Sequence, residues 1–220
     1  MTARLLDDDA LARSSVVANC AMNRERRLSG TNGYGRELGI DVARLITDRL
    51  AHADSFRWLD LCCGSGRALL ECAALVDDDR LTITGVDLVD FFAGPAHPRV
   101  EFVTAPIGSW APETSFDLVT CVHGLHYVGD KLGVLARAAS WLADDGLLIA
   151  NLDLASVVSG QGHRKVVGAL RAAGFTYDGR RRRIGRTGHG KVRLPLRYLG
   201  ADDRAGPNYT GQGAVNSHYA

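Results

Sequence analysis

The chain has 220 residues, and its 26 lysines and arginines nearly balance its 25 aspartates and glutamates. This length fits one well-buried α/β domain with terminal additions and is too short for two ordinary domains. No apolar run approaches the ~20 residues of a membrane span, and the acidic N-terminal stretch MTARLLDDDALARSS lacks the basic and then apolar pattern of a signal peptide. We therefore expect a soluble, cytoplasmic protein with no membrane partner.

The five cysteines are an odd number and have no C-x-x-C spacing. They are Cys20, Cys62, Cys63, Cys72 and Cys121. Because four of them fall in predicted buried elements, we interpret them as small core residues and expect no metal site. The high content of alanine, arginine and glycine is typical of a GC-rich bacterial source.

The first 50 residues predict two helices separated by a glycine-rich break. Residues 9–28 and 40–50 have apolar positions at roughly helical spacing, and residues 29–35 (SGTNGYG) interrupt them. A polar and aromatic cluster surrounds the break and consists of Arg24, Arg26, Arg27, Asn32 and Tyr34. One alternative for this cluster is an exposed basic helix end with a tyrosine in a turn.

Residues 56–72, FRWLDLCCGSGRALLEC, predict a strand, a glycine turn and a helix. The apolar run in the first part is typical of a central strand that is buried on both faces. Gly64, Ser65 and Gly66 allow the backbone to approach a ligand closely. The following helix start offers unpaired N–H groups and a positive dipole end to an anion, which could be a phosphate or a carboxylate.

Two residues argue against a dinucleotide-binding fingerprint in this turn. Leu69 occupies the third glycine position of G-x-G-x-x-G/A, and Asp60 would repel a pyrophosphate but could help to hold an ammonium group. The run Asp60, Leu61, Cys62, Cys63, Gly64, Ser65, Gly66 resembles motif I of the class I S-adenosylmethionine-dependent methyltransferases, an acidic residue followed by three residues and G-x-G. The resemblance implies S-adenosylmethionine as the cofactor and an N-terminal segment that folds over it as a lid.

Residues 81–87 (LTITGVD) predict a second strand, with Asp87 at its carboxyl end. A carboxylate at that place can accept both ribose hydroxyl hydrogens, and the position matches the second motif of the family. Residues 88–98 are too short and too interrupted for a full crossover helix, which departs from the usual family pattern. Either a single helical turn replaces that helix, or the pair Phe91 and Phe92 packs flat on the sheet.

Residues 100–104 predict the third strand, which Ala105 and Pro106 follow. Many relatives have an acid there that meets the adenine amino group. This chain has none, so the resemblance implies that backbone and apolar contacts hold the adenine.

Residues 116–122 predict the fourth strand, and the HGLHYVGDKL that follows resembles the fourth-motif region of the family. His126 occupies a position where the family histidine is often structural, whereas His123 lies just past the strand end, where methyl donor and acceptor should meet. Either histidine could act as a general base toward a hydroxyl or an activated carbon. The alternative is that no base takes part and that alignment of methyl donor and acceptor alone gives the rate.

Asp130 is expected to cap a helix over residues 131–142, and residues 147–152 predict the fifth strand.

The C-terminal quarter predicts a helix over residues 163–173 and then a β-hairpin of residues 175–184 and 192–199, which this family adds at the sheet edge. The four consecutive arginines at residues 180–183 are basic enough for an RNA-binding patch. Alternation in an edge strand would, however, divide them between two faces, where edge charges prevent aggregation. Residues 200–220 have no periodicity and are either disordered or return to close the site.

Together, the residues and the resemblance imply a Rossmann-like three-layer α/β sandwich. Its sheet would have seven mostly parallel strands in the order 3-2-1-4-5-7-6, with an N-terminal helical lid at residues 1–52, a core at 53–199 and a tail at 200–220. The expected cofactor-binding residues are Tyr34, Asp60, Cys62, Gly64, Ser65, Gly66, Asp87, Leu88, Ala105, Pro106, Val122 and His123, and the candidate catalytic residues are His123 and His126.

The expected function is methyl transfer to a small-molecule acceptor in specialised metabolism, by a monomer or a homodimer, with nucleic acid an unlikely partner. Two alternatives remain open. One is an RNA or protein methyltransferase that uses the basic hairpin, and the other is a protein that binds S-adenosylmethionine without transferring its methyl group.

Overall fold

The structure is a computed structural model that describes residues 5–18 and 25–220. The strands within these ranges are β1 (Phe56–Leu61), β2 (Leu81–Asp87), β3 (Val100–Thr104), β4 (Phe116–Cys121), β5 (Leu142–Asn151), β6 (Val157–Ser159), β7 (Thr176–Asp178), β8 (Arg183–Thr187), β9 (Tyr198–Asp202) and β10 (Asn216–Tyr219). The helices are α1 (Asp8–Ala12), α2 (Ser15–Ala18), α3 (Tyr34–Leu38), α4 (Val42–Leu50), α5 (Arg67–Val76), α6 (Lys131–Ser140) and α7 (His163–Ala172), with 3-10 turns at Gly124–Tyr127 and Leu154–Ser156.

Seven of these strands form one sheet in the order β3-β2-β1-β4-β5-β8-β7. Counted within this sheet alone, the order is 3-2-1-4-5-7-6. Strands β1 to β5 pair in parallel, and β8 is antiparallel to β5. The predicted sheet is therefore confirmed. Because the order reverses between β1 and β4, the carboxyl ends of these strands border a crevice in which ligands of such sheets bind.

Two hydrophobic cores cover the two faces of the sheet. Trp58 of β1 packs in one core with side chains of α3, α4 and α5, while its neighbour Leu59 packs in the other core with α6 and α7. Successive side chains of a strand point to opposite faces, so the continuous apolar run of β1 contributes to both cores. The result is the expected three-layer sandwich.

The connection between β2 and β3 contains no helix in residues 88–98, all of which the structure describes, so the shortened connection is confirmed. Phe92 stacks on Phe102 of β3, with ring centroids 4.4 Å apart and planes 9° apart. Phe91, in contrast, is 64% exposed. Of the two predicted alternatives, aromatic packing on the sheet is the correct one, and it applies to one phenylalanine of the pair.

The edge hairpin differs from the prediction, because its turn lies at residues 179–182 rather than at 185–190. The Asp178 carboxylate accepts the backbone N–H groups of Arg180 and Arg181 at 3.0 and 3.1 Å. Such a side-chain bond stabilises a turn, and it was not recognised in the sequence, where the glycines further along the chain gave the stronger turn signal.

The N-terminal helix predicted over residues 9–28 is also different. The described part consists of the short helices α1 and α2, and residues 25–33 are not helical. Cys20 and Arg24 lie outside the described residues. Tyr34, which was expected in a turn, is the first residue of α3.

The C-terminal residues 200–220 return to the body of the protein. Strands β6, β10 and β9 form a second sheet in that order, and Leu6 near the N-terminus pairs with Ala201 of β9. Strand β9 runs across the boundary that was predicted between residues 199 and 200. Leu6 and the C-terminal strand β10 therefore both lie beside β9.

A buried lysine attaches this sheet to the start of α6. The ammonium group of Lys131 is fully buried and donates to the backbone oxygens of Val128 and Val215 at 2.9 and 2.7 Å and to Oγ of Ser217 at 2.9 Å. Burial lowers the pKa of Lys131 to about 7. Since β10 contains Ser217, this one side chain ties the C-terminal strand to the core.

Candidate active site

The glycine turn after β1 has the backbone geometry that its residue types predict. Gly64 and Gly66 have φ angles of 60° and 69°, in the left-handed region that glycine adopts without strain. A Cβ atom on Gly66 would lie 2.1 Å from the Phe102 ring, so a larger residue does not fit there. Cys62 also has a positive φ, 56°. The turn leads directly into α5, so the N-terminus of this helix lies at the same end of the sheet as the glycine turn.

Asp87 at the end of β2 holds this turn in place. Its two carboxylate oxygens accept the backbone N–H of Gly64 at 2.8 Å and that of Val89 at 3.1 Å. Asp87 therefore positions the glycine turn, and its contact with the hydroxyl groups of a ligand remains a prediction.

A cavity lies at the carboxyl ends of β1, β2 and β4. The predicted site residues that line it are Cys62, Gly64, Asp87, Leu88, Pro106, Val122 and His123. Asp8, Leu11 and Val17 of the N-terminal helices form part of the opposite wall. The other predicted cofactor residues, Tyr34, Asp60, Ser65, Gly66 and Ala105, are not among the residues that line this cavity. The N-terminal helices thus contribute side chains to the same cavity as the strand ends and the glycine turn, and their role as a lid remains a prediction.

Asp60 lies beneath the cavity and is fully buried. Its carboxylate accepts hydrogen bonds from the hydroxyl of Tyr34 at 2.6 Å and from the hydroxyl of Thr120. Burial raises the pKa of Asp60 to about 7, and the two hydroxyl bonds oppose this increase. The carboxylate therefore connects α3 to β1 and β4, and its contact with a ligand ammonium group remains a prediction.

His123 lies immediately after β4 and has φ of 59°, so its backbone is in the left-handed region. Its Nε2 is 2.9 Å from Oε2 of Glu37 on α3, and its Nδ1 is 3.4 Å from the hydroxyl of Tyr209. Burial and the positive charge of Arg26 lower the pKa of His123, while the bond to Glu37 opposes that decrease. The imidazole is therefore neutral at pH 7 and fixed at one nitrogen by a carboxylate.

His126 lies in the 3-10 turn next to His123, with ring centroids 5.5 Å apart. Its side chain is buried, and neither ring nitrogen has a hydrogen-bond partner among the described residues. Burial and the nearby charge of His123 lower the pKa of His126 to about 3. His126 is consequently neutral and contributes an unused donor and an unused acceptor beside His123.

Three residues near His123 were not recognised from the sequence as site residues. Glu37 and Tyr209 contact its two ring nitrogens, and the guanidinium carbon of Arg182 lies 4.0 Å from the centroid of the Tyr209 ring. They come from α3, the C-terminal segment and the hairpin turn, which are far apart in the sequence. The available signal was an aromatic side chain in a tail without periodicity, and Tyr209 shares that signal with Tyr219.

The described residues contain no group of three or more His, Cys, Asp or Glu side chains that could hold a metal ion. Cys62, Cys63, Cys72 and Cys121 are free thiols. Across the same described ranges, no helix is long and apolar enough to cross a membrane.

The sheet order, the glycine turn and the acid at the end of β2 define the Rossmann-like fold of the class I methyltransferases. A family model described as a methyltransferase domain matches residues 34–190. The chain therefore belongs to the methyltransferase domain family, whose class I members use S-adenosylmethionine as their cofactor. No curated protein matches the chain.

Several solved structures resemble the chain at low sequence identity. The plantazolicin methyltransferase BpumL, in complex with a pentazolic desmethylPZN analog and SAH, is 14% identical, with 49% of this chain and 45% of that chain covered and a TM-score of 0.42. CalS10, an amino pentose methyltransferase of Micromonospora echinaspora, is 23% identical, with 50% and 49% covered and a TM-score of 0.39. The [4+2]-cyclase SpnF is 15% identical, with 80% and 75% covered and a TM-score of 0.47. This chain thus spans about half the length of the first two.

Proposed function

We propose that this protein transfers the methyl group of S-adenosylmethionine to a small-molecule acceptor. The observation that carries the proposal is the single cavity that unites the glycine turn, Asp87 and His123 in a chain of the methyltransferase family.

The chemistry of the cavity residues fits the cofactor. Asp87 offers lone pairs to the ribose hydroxyls, and Leu88 and Pro106 offer apolar surface to the adenine. The N–H groups at the start of α5 and the positive end of the helix dipole attract the carboxylate of the cofactor. When bound, S-adenosylmethionine supplies a methyl group on a sulfonium sulfur, so the protein mainly has to bind, align and desolvate the reactants.

His123 is the favoured general base. The Glu37 carboxylate accepts hydrogen bonds only, so it selects the tautomer with the proton on Nε2 and leaves the lone pair on Nδ1. Because the pKa of His123 lies below 6.5, Nδ1 is free to accept a proton at neutral pH. His126, with its pKa of about 3, is too weak a base for this role, and we assign it to the shape and polarity of the acceptor side.

Ligand stabilisation of the native protein tests the cofactor part of the proposal. S-adenosylhomocysteine at a hundredfold excess over its dissociation constant should increase the free energy of unfolding by about 2.7 kcal/mol, and NAD should have no effect. A thermal unfolding series with both ligands measures this difference. Stabilisation by NAD and not by S-adenosylhomocysteine would contradict the proposal.

The positions of the four arginines favour a small acceptor over RNA or protein. Arg182 lies over the Tyr209 ring, and burial lowers the pKa of the Arg183 guanidinium. Arg180 and Arg181 alone are exposed, and Arg181 pairs with Asp178 at 3.2 Å. Two of the four arginines, Arg182 and Arg183, thus pack against the protein itself.

Two measurements separate the remaining alternatives. Incubation with labelled cofactor and metabolite extracts should yield S-adenosylhomocysteine, whereas a protein that binds the cofactor without transferring its methyl group would yield none. Acceptor binding that weakens steeply with salt would indicate a nucleic acid. The cytoplasmic location and the monomeric or homodimeric state remain predictions from the sequence.

A further inference from the structure

The phenol side chain of Tyr209 lies in a site that is built from other parts of the chain. Its hydroxyl is 3.4 Å from Nδ1 of His123, and its ring is 5.4 Å from the His126 ring in an edge-on contact. The guanidinium carbon of Arg182 lies over the Tyr209 ring, 4.0 Å from the ring centroid. We call the space bounded by His123, His126 and Arg182 the aromatic slot. Cationic and edge-on contacts of this kind are favourable to an aromatic ring.

The slot itself belongs to well-anchored parts of the fold. His123 and His126 follow β4, and both are buried. Arg182 is the last residue of the hairpin turn, and its Nε lies 3.6 Å from the Asp153 carboxylate. Glu37 fixes His123 from α3. The slot therefore does not depend on Tyr209 for its construction.

Tyr209 reaches the slot from a loop, residues 206–213, whose backbone bonds are mostly its own. Within the loop, the N–H of Asn208 donates to the backbone oxygen of Gln212 at 2.7 Å, and the N–H of Gly211 donates to that of Asn208 at 2.9 Å. Tyr209 is 41% exposed. The loop is tethered to β9 and β10, accepts a hydrogen bond from the Tyr127 hydroxyl at Oε1 of Gln212 at 3.1 Å, and presents one phenol to the slot.

The two histidines give the slot the chemistry that a phenol requires. His123 directs the lone pair of Nδ1 toward the tyrosine hydroxyl, since Glu37 holds Nε2. His126 offers a buried donor and acceptor that no described residue uses, which suits a further polar substituent on a ring. Burial and the charge of Glu37 raise the pKa of Tyr209 to about 12, so a phenol in this place keeps its proton until a reaction removes it.

We propose that the methyl acceptor is an aromatic hydroxyl compound that occupies the slot in place of the Tyr209 ring, with the loop at residues 206–213 acting as a tethered competitor. This inference rests on the proposed function. His123 also lines the cofactor cavity, so it borders both the slot and the place of the methyl donor.

The reaction in the slot is a displacement at the methyl carbon. The acceptor hydroxyl gives its proton to Nδ1 of His123 while its oxygen forms the bond to the methyl carbon. The electron pair of the breaking carbon–sulfur bond stays on sulfur, and the products are a methyl ether and S-adenosylhomocysteine. The imidazolium that forms is stabilised by Glu37 and releases its proton to solvent.

Binding of 4-nitrophenol, measured by calorimetry without cofactor and again with S-adenosylhomocysteine, tests the proposal, in a buffer acidic enough to keep the hydroxyl of 4-nitrophenol protonated. If Tyr209 fills the slot for more than nine-tenths of the time, the variant Tyr209→Ala should bind 4-nitrophenol at least about tenfold more tightly than the wild type. 4-Nitroanisole has no hydroxyl proton to donate, and its binding to the same variant should be at least about tenfold weaker. Tyr209→Phe keeps the ring and loses the contact with His123, so its affinity for 4-nitrophenol should lie between those of the other two proteins.

Unchanged or weaker 4-nitrophenol binding by both Tyr209 variants would overturn the proposal, because Tyr209 would then be a wall of the acceptor site. Equal affinity for 4-nitroanisole, or no binding of 4-nitrophenol to any of the three proteins, would overturn it as well. Failure of the proposed function has a different signature, which is the absence of stabilisation by S-adenosylhomocysteine whatever 4-nitrophenol does.

Discussion

Replacement of Asp87 tests whether the acid at the end of β2 binds the ribose or only supports the glycine turn. Its two carboxylate oxygens accept N–H groups of Gly64 and Val89 at 2.8 and 3.1 Å. Asp87→Asn keeps the shape of the side chain and one of its acceptor oxygens. It removes the negative charge and places an NH2 group opposite one of the two backbone N–H donors. Asp87→Ala removes both acceptors and leaves two backbone N–H groups without their partners.

The magnitude follows from the hydrogen bonds that each variant loses. A hydrogen bond to a charged group contributes about 1.5–3 kcal/mol, and 1.4 kcal/mol corresponds to a factor of ten in affinity. We therefore expect Asp87→Asn to raise the dissociation constant of S-adenosylhomocysteine by at least about tenfold. Asp87→Ala should weaken binding further and also lower the free energy of unfolding by about 1–3 kcal/mol, since the glycine turn loses its support.

Titration calorimetry gives the dissociation constants, and urea unfolding gives the stabilities. Asp90→Asn is the matched control, because Asp90 is an exposed acid three residues along the chain and its replacement should change neither quantity. If Asp87→Asn folds normally and binds S-adenosylhomocysteine as tightly as the control does, the ribose is held elsewhere and the reasoning is refuted.

Three further perturbations address the base, the buried lysine and the hydrogen bond between Tyr34 and Asp60. The acid limb of the pH dependence of kcat/KM should lie below pH 6.5, because His123 must be neutral to act as a base and its pKa is lowered. His123→Ala should lose this acid limb, and its turnover should fall by about 10²–10⁴-fold. An acid limb that remains in His123→Ala would exclude His123 as the base. The pKa of Lys131 is about 7 in the folded protein, and its ordinary value is 10.5. Between these two pH values the unfolded chain binds more protons than the folded protein, so the free energy of unfolding should rise with pH by at most about 1.4 kcal/mol per pH unit. Urea unfolding of Lys131→Met should not show this rise, and an equal rise in both proteins would contradict the assignment. Tyr34→Phe removes a hydrogen bond to the buried Asp60, so the free energy of unfolding should fall by about 1–3 kcal/mol. The affinity for S-adenosylhomocysteine should stay unchanged, whereas an affinity about tenfold weaker would show that Tyr34 contacts the cofactor.

The sequence by itself determined the elements whose signal is local. The strand, turn and helix at residues 56–72 follow from an apolar run, two glycines and helical spacing, all of which lie within one short segment. Asp87 was predicted for the same reason, since a strand pattern that ends in an acid places that acid at the carboxyl edge of a parallel sheet. The shortened connection after it could be predicted because glycine and proline interrupt it.

The tertiary structure decided which distant residues meet. Glu37, Arg182 and Tyr209 converge on His123 from a helix, a hairpin turn and a C-terminal loop, and no periodicity in any of these segments indicates the others. The turn of the hairpin was predicted wrongly because a side-chain bond from Asp178 prevailed over the local glycine signal. Asp60 was recognised as an acid of the motif, yet its burial between Tyr34 and Thr120 depends on how a helix and a strand pack. Local residue patterns determine local backbone structure. Contacts between residues far apart in sequence depend instead on packing, and packing determines both the pKa of a buried side chain and its hydrogen-bond partners.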